Sequence, residues 1–320
     1  MKPFFVFAIA AFLFACNNNQ QPHKNANNSI AISDSAYKWT KIFDSAAWKK
    51  NYNYQMFVIK DTLWVFHPDG NWFSADGSHW IKSSLPNAIN NLAFLDYIVF
   101  NNAVYGLGYF KGNIETHQYS SKIFHSNDLK SWKIAAETSN LPKRFFYHPF
   151  VFNNKIWIIG GEDNHVQYAD IWNSADGINW MKQKDSLPFG KRSNSLIINF
   201  KGKLFLLNND VWSSTNGLDW QQETPAIFKD EQVFGYAAVV FDDKIWLLGC
   251  NRNEQFTSQV FCSSDGKNWE AHSAPWLPRG GCVAAVFNNK IYMTGGKYGG
   301  TPAHTEFRYD NDLWTMEKIK

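Results

Sequence analysis

One phrase recurs six times along this 320-residue chain, and it dictates most of what the chain can fold into. It reads Lys60-Asp61-Thr62-Leu63-Trp64, Asn101-Asn102-Ala103-Val104-Tyr105, Asn153-Asn154-Lys155-Ile156-Trp157, Lys201-Gly202-Lys203-Leu204-Phe205, Asp242-Asp243-Lys244-Ile245-Trp246 and Asn288-Asn289-Lys290-Ile291-Tyr292. The closing aromatics stand 41, 52, 48, 41 and 46 residues apart. Apolar runs ending in Ile59, Phe100, Phe152, Phe200, Phe241 and Phe287 precede the phrases. Asn, Asp and Gly tolerate positive φ, so each phrase predicts a tight hairpin turn between two strands.

A second phrase follows the first five: Ser74-Ala75-Asp76-Gly77, Ser126-Asn127-Asp128-Leu129, Ser174-Ala175-Asp176-Gly177, Ser214-Thr215-Asn216-Gly217 and Ser263-Ser264-Asp265-Gly266, each with a Trp six residues after its Ser. It predicts a second hairpin whose Trp opens the next strand and packs between neighbouring units. In the sixth repeat Asp310-Asn311 and Trp314 are expected to keep this register, with Arg308 in place of Ser. Four short strands in about 45 residues cannot bury both faces alone, so the units must stack. The hairpin phrase followed by Gly160-Gly161 or Gly295-Gly296, with its downstream aromatic strand, resembles the kelch repeat. The resemblance implies an all-β fold, a six-bladed kelch-type β-propeller of four-stranded antiparallel blades, spanning residues 37–320. Trp39 lies 25 residues before Trp64, the interval of Trp80 to Tyr105, and reads as an outer strand without its own first three. Two placements fit it: closing the ring beside the last blade, or lying outside a ring already closed by Trp314.

The amino terminus carries an address. Lys2 is followed by twelve apolar residues, Phe4 to Ala15, the layout of a secretory signal and too short for a membrane span. The run ends in Leu13-Phe14-Ala15-Cys16, which resembles the bacterial lipobox; that resemblance implies cleavage at 1–15, lipidation of Cys16 and an outer-membrane, periplasmic or surface-side lipoprotein. The Asn- and Gln-rich stretch 16–36 reads as a tether, having too little apolar surface to order itself. Membrane contact is expected through the N-terminal lipid alone. With 31 Lys+Arg against 28 Asp+Glu, the chain is too balanced for a nucleic-acid binder. Of the later cysteines, Cys250 and Cys262 are placed to face each other across a hairpin as a disulfide, or all three with Cys282 are buried thiols.

Aligned on the hairpin aromatics, the six first strands carry Asn51, Leu92, Arg144, Arg192, Val233 and Arg279 thirteen residues upstream, and Tyr54, Leu95, Tyr147, Ser195, Tyr236 and Cys282 ten upstream. Arg144, Arg192 and Arg279, flanked by Asn51, Tyr54, Tyr147 and Tyr236, are candidates to ring the channel mouth and grip an acidic ligand or glycan through bidentate hydrogen bonds. The competing reading has each Arg bridging adjacent blades by bonding backbone carbonyls at the strand entry. Tyr147-His148 falls out of register for the copper site of galactose oxidase, and the Asp-box-like turns lack the carboxylate pair of a sialidase. Sialic-acid mutarotase, a six-bladed kelch enzyme, remains the enzymatic template; Glu162, Asp163, His148 and Glu254 are its weak candidates, while His165 and His304 read as solvated loop residues. No cofactor or metal is implied. The leading expectation is a non-catalytic envelope module for a glycan, peptide or protein partner, with a sugar mutarotase or epimerase as the alternative.

Overall fold

The computed structural model describes residues 36–52, 54–67, 69–83, 89, 92, 94–111, 118–163, 166–228, 233–301 and 305–319. The signal run, Cys16, His165 and His304 lie outside them. Among the described residues every regular element is a strand, and no helix is long and apolar enough to cross a membrane.

Six four-stranded antiparallel blades form, with strands a to d taken from the axis outward. Blade 1 is Gln55–Ile59, Thr62–His67, Gly70–Ser74 and Ile81–Ser83; blade 2 is Asp96–Phe100, Ala103–Leu107, Ile123–Ser126 and Lys133–Ala136. Blade 3 is Phe150–Phe152, Lys155–Ile159, Ile171–Ser174 and Met181–Lys184; blade 4 is Leu196–Phe200, Lys203–Leu207, Val211–Ser214 and Gln221–Thr224. Blade 5 is Ala237–Phe241, Lys244–Arg252, Gln255–Ser263 and Glu270–Ser273, with Val233–Phe234 also pairing its second strand. Blade 6 takes Val283–Phe287, Lys290–Thr294 and Leu313–Lys318 from the carboxyl end and its outer strand, Tyr37–Phe43, from the amino end. The a strands of consecutive blades touch around a closed circle, blade 6 meeting blade 1.

The first phrase makes the a–b turns as expected: both central residues have positive φ in all six, from Lys60 and Asp61 (50° and 51°) to Asn288 and Asn289 (46° and 55°). The second phrase makes the c–d turns. In blade 3, Ser174 Oγ accepts from Gly177 N at 2.8 Å, and Asp176 Oδ1 accepts from the amides of Ile178 and Asn179, both at 2.8 Å. Both phrases meet at the joints between blades: a Cβ on Gly177 would lie 2.6 Å from the Tyr105 ring of blade 2, so this glycine is required by contact as well as by its φ of 75°. The apolar core is accordingly distributed as six clusters, each shared by two consecutive blades, such as Trp246, Leu248 and Cys262 of blade 5 with Met293, Trp314 and Met316 of blade 6.

Two expectations about blade 6 are settled here. Trp39 pairs with Met316, as an outer strand must, so the ring is closed by joining the two ends of the chain. Trp314, however, lies on strand c in the place of Trp172 and Trp212, and Met316 occupies the place of Ser174; the expected register with Arg308 as the Ser is therefore wrong. The chain passes from strand c of this blade to its terminus, so no c–d turn exists for such a phrase to make.

Candidate functional site

The arginine register forms ion pairs inside the blades. Arg144 donates through Nη2 to Asp170 Oδ2 at 2.8 Å and lies over the Tyr168 ring at 4.1 Å; it is 3% exposed. Arg192 forks onto Asp210 at 2.9 and 3.2 Å and also donates to the Phe189 carbonyl. Arg279, 1% exposed, forks onto Asp312 and donates to the carbonyls of Leu277 and Gly295. Each aspartate also accepts from an indole two residues on, Trp172, Trp212 or Trp314, at 2.7–2.8 Å. The guanidinium groups are thus turned into their blades and neutralised there, which corrects the expectation of an open anion-gripping ring. In blade 1 the same lead-in position, Asn51, is held by His67 Nε2 at 2.8 Å.

The tyrosines ten residues before the aromatics are buried in the joints: Tyr54, Tyr147 and Tyr236 are 2%, 1% and 9% exposed. Tyr236 donates to the Asn208 carbonyl of blade 4 at 2.9 Å, and Tyr54 donates to the Lys49 carbonyl. The flanking role assigned to them at the mouth is corrected likewise. Cys250, Cys262 and Cys282 are buried and joined by no disulfide, so the Cys250–Cys262 bridge does not form. A register shift between Leu248 and Cys250 places Cys250 opposite Thr257 and packs it toward blade 4, while Cys262 pairs with Trp246 and packs toward blade 6.

What does surround the mouth is aromatic. Eleven residues before five of the six hairpin aromatics the backbone is left-handed: Phe94 (54°), Phe146 (59°), Asn194 (58°), Gly235 (76°) and Gly281 (68°); the aligned residue of blade 1, Asn53, lies outside the described residues. Gly and Asn adopt this conformation easily, but a bulky side chain costs about 1–2 kcal/mol there. The two phenylalanines lie on adjacent blades with ring centroids 5.3 Å apart, and Phe145 and Tyr119 extend the cluster by contacts of 4.0 and 5.4 Å. Across the axis Tyr52 stacks on Tyr309 at 5.9 Å, Phe307 stacks on Tyr309 at 6.1 Å, and the Lys297 ammonium lies 5.2 Å from the Tyr52 ring.

Polar side chains meet where the first strands of blades 1, 2 and 3 begin. Asp96, its side chain 8% exposed, receives Gln55 Nε2 at 3.5 Å and faces His148 Nδ1 at 3.7 Å. Burial opposes charge on His148, but Asp96 and Asn194 outweigh it and hold its pKa above the usual histidine value. Gln55, Asp96 and His148 occupy one aligned position, nine residues before the hairpin aromatic, one residue beyond the tyrosine register, so the same alignment carries the signal for this group. Of the other candidates, Glu162 accepts from Ser193 Oγ at 2.6 Å and Asp163 from Tyr168 at 2.9 Å beside Arg144, while Glu254 sits at the tip of the blade 5 hairpin with φ 66°.

The b–c connections are raised into extra hairpins on the same side as these lead-ins, shown by bridges such as Phe145 to Glu162 and Gly280 to Lys297. Those of blade 2 (Phe110–Lys111 with Gln118–Tyr119), blade 3 (Glu162–Asp163 with Val166–Gln167), blade 5 (the long Lys244–Arg252 and Gln255–Ser263) and blade 6 (Lys297–Tyr298 with Arg308–Tyr309) stand as two pairs. The low blades 1 and 4 lie between the pairs, three blades apart on a ring of six, so the raised hairpins flank a low line across the ring.

Residues 128–237, from the c–d turn of blade 2 to the start of blade 5, match the family model described as the DUF6242 beta propeller domain. No curated protein matches the chain. Among solved structures the chain is similar to one described as "Structure of YjhT", with 13% identity, coverage of 85% of this chain and 96% of that one, and a TM-score of 0.68. At that identity the likeness is one of fold, and the fold is a six-bladed β-propeller.

Proposed function

We propose that this propeller is a carbohydrate-binding module of a bacterial envelope, taking a sugar ring in the cleft between Phe94, Phe146 and Phe145 on one side and Tyr52 and Tyr309 on the other. The observation that carries the reading is the pair of phenylalanines in left-handed backbone, at a position where other blades use Asn194, Gly235 and Gly281. Strain of this kind persists where surroundings and use over-determine it. Aromatic faces pack against the C–H faces of a sugar ring, and Asp96, His148, Asn194 and Gln55 supply hydrogen-bonding groups for hydroxyls beneath. Lipidation of Cys16 would attach the module to a membrane. Tyr37 joins the ring beside the Asp242 turn, donating to its Oδ2 at 2.6 Å, on the side opposite the mouth. A tether leaving from there presents the cleft away from the membrane.

The test is thermal stabilisation of the protein across neutral and acidic glycans, with Phe94→Asn and Phe146→Asn beside the parent. A ligand at 100 times its Kd stabilises by about 2.7 kcal/mol. Asn194 shows that Asn suits this backbone, so the variants should fold and lose the ligand-dependent shift. A glycan shift unchanged in the double variant, or no shift with any glycan, refutes the assignment. For the anchor, Cys16→Ser should move the protein to the soluble fraction; persistent membrane association refutes it.

One observation favours a second reading, a sugar mutarotase or epimerase. His148 is 30% exposed at its side chain and backed by Asp96, an acid–base group suited to proton transfer at a ring oxygen or anomeric hydroxyl. Anomer exchange followed by NMR, lost in His148→Ala, separates it from simple binding.

A further inference from the structure

A second constellation lies far from the cleft, on the rim where the amino-terminal strand joins the ring. Strands c and d of blade 5 pair so that Cys262 stands opposite Glu270 and Val260 opposite His272. Strand alternation puts Glu270 and His272, two residues apart, on one face of the blade, and the cross-strand pairing adds Cys262 to that face. Their donor atoms converge. Cys262 Sγ lies 3.3 Å from His272 Nε2 and 3.9 Å from Glu270 Oε2, and His272 Nε2 lies 3.8 Å from the same Oε2.

From these distances we propose that Cys262, His272 and Glu270 form a binding site for a zinc-type divalent cation, independent of the cleft and of the reading given to it. Zinc binds sulfur at about 2.3 Å and imidazole nitrogen or carboxylate oxygen at about 2.0–2.2 Å, so the edges of its tetrahedron run about 3.3–3.7 Å. The triangle of 3.3, 3.8 and 3.9 Å is one face of such a tetrahedron to within a few tenths of an ångström. The donor types agree, since thiolate with imidazole selects zinc over calcium or magnesium. Binding converts the Cys262 thiol to thiolate and releases one proton; thiolate and carboxylate together then neutralise the divalent charge.

The surroundings divide the ligands. Cys262 is fully buried and the His272 side chain is 10% exposed, while the Glu270 side chain is 66% exposed. Two ligands are therefore fixed by packing, Cys262 beneath Trp246 and Tyr37 in the shared cluster, and the third closes from solvent. A cavity of about 610 Å³, lined by Tyr37, Asp242, Lys244, Glu270, His272 and Lys318, opens at the same place. It leaves the fourth position to water or a small anionic ligand, as in zinc sites that keep one vertex open. The Lys244 ammonium, 3.7 Å from Glu270 Oε2, competes for that carboxylate and must turn away on binding. Lys244→Ala should therefore tighten the site.

The experiment is a Co²⁺ titration of the full chain after chelator treatment, read by the sulfur-to-cobalt charge-transfer band and the intense visible bands of tetrahedral cobalt, with Zn²⁺ displacing the signal at one ion per chain. Cys262→Ser should abolish the charge-transfer band. His272→Gln and the exposed Glu270→Gln should each weaken binding at least tenfold with unchanged circular dichroism, so the proposal does not depend on the folding of the buried Cys262 variant. A parent with no charge-transfer band overturns it, and so does a band that survives Cys262→Ser or an affinity indifferent to both His272→Gln and Glu270→Gln.

Discussion

Replacing Arg279 by Ala should cost this fold about 3–5 kcal/mol, the range for breaking a buried ion pair by removing one partner. The magnitude follows from the surroundings. Arg279 is 1% exposed and Asp312 retains 13% of its side-chain surface, so the stranded carboxylate has little water to turn to. Among the described residues Asp312 keeps the Trp314 indole, donating at 2.8 Å. Asp310, 3.6 Å from Arg279, fares better because Arg308 reaches it at 3.2 Å. For a domain of this size each kcal/mol moves Tm by about 2–4 °C, so a fall of roughly 6–20 °C is expected. Arg279→Lys keeps the charge without the fork and should fall between parent and Ala. Arg279→Met with Asp312→Leu removes both charges, and should recover most of the loss. Calorimetry or thermal circular dichroism on the four proteins decides it. If Arg279→Ala melts within about 1 °C of the parent, or the double variant melts no higher than Arg279→Ala, the arginine is not a structural ion pair and the ligand-binding role must be reopened.

Three further outcomes are expected. Trp39, half-buried with its ring 4.4 Å from Trp276, holds the closing strand; Trp39→Ala should cost about 2 kcal/mol, below the 3–5 of a fully buried Trp, and an unchanged urea midpoint would deny the closure its energetic role. The His148 pKa is raised in the fold, so its contribution is complete below the unfolded value of 6.5 and is lost as pH rises through the folded pKa; urea midpoints from pH 6 to 8 should fall in the parent and lose that component in Asp96→Asn. Burial pushes the Cys282 thiol up to about 11, so at pH 8 its peptide should resist alkylation in the native protein and react on unfolding, and equal rates in both states would contradict the packing.

The fold was legible because its signals are local and repeated. Two-residue turns such as Asn153-Asn154 specify positive φ by side-chain chemistry alone, and six of them at similar intervals leave few alternatives to radial stacking. The last blade was harder. Its outer strand comes from the other end of the chain, so Leu313-Trp314 had no following turn to mark it as strand c, and the one local mark is the Asp two residues before the indole, shared with Asp170–Trp172 and Asp210–Trp212. The disulfide failed on register: Cys262 pairs with Trp246, four residues along the strand from Cys250, and the shifted pair at Gly249 also turns Cys250 to the opposite face.

The site shows the limit more sharply, because the same residues were visible and their partners were not. Arg at the lead-in position says that a cation sits there, and a cation can meet a ligand or a carboxylate of its own chain. The discriminating signal was present in the repeats. Asp170-Ile171-Trp172, Asp210-Val211-Trp212 and Asp312-Leu313-Trp314 occur in blades 3, 4 and 6, the three blades that carry Arg144, Arg192 and Arg279. At the corresponding places blades 1, 2 and 5 have Gly70, Lys122 and Gln259, and none of the three has an Arg at its lead-in. Two charges that come and go together among the units of one chain are each other's partners, because a buried charge is tolerated only when paired. The aromatic lining had no such compositional mark: Phe94 and Phe146 read as ordinary apolar residues until the backbone beneath them is seen to be one that phenylalanine rarely adopts.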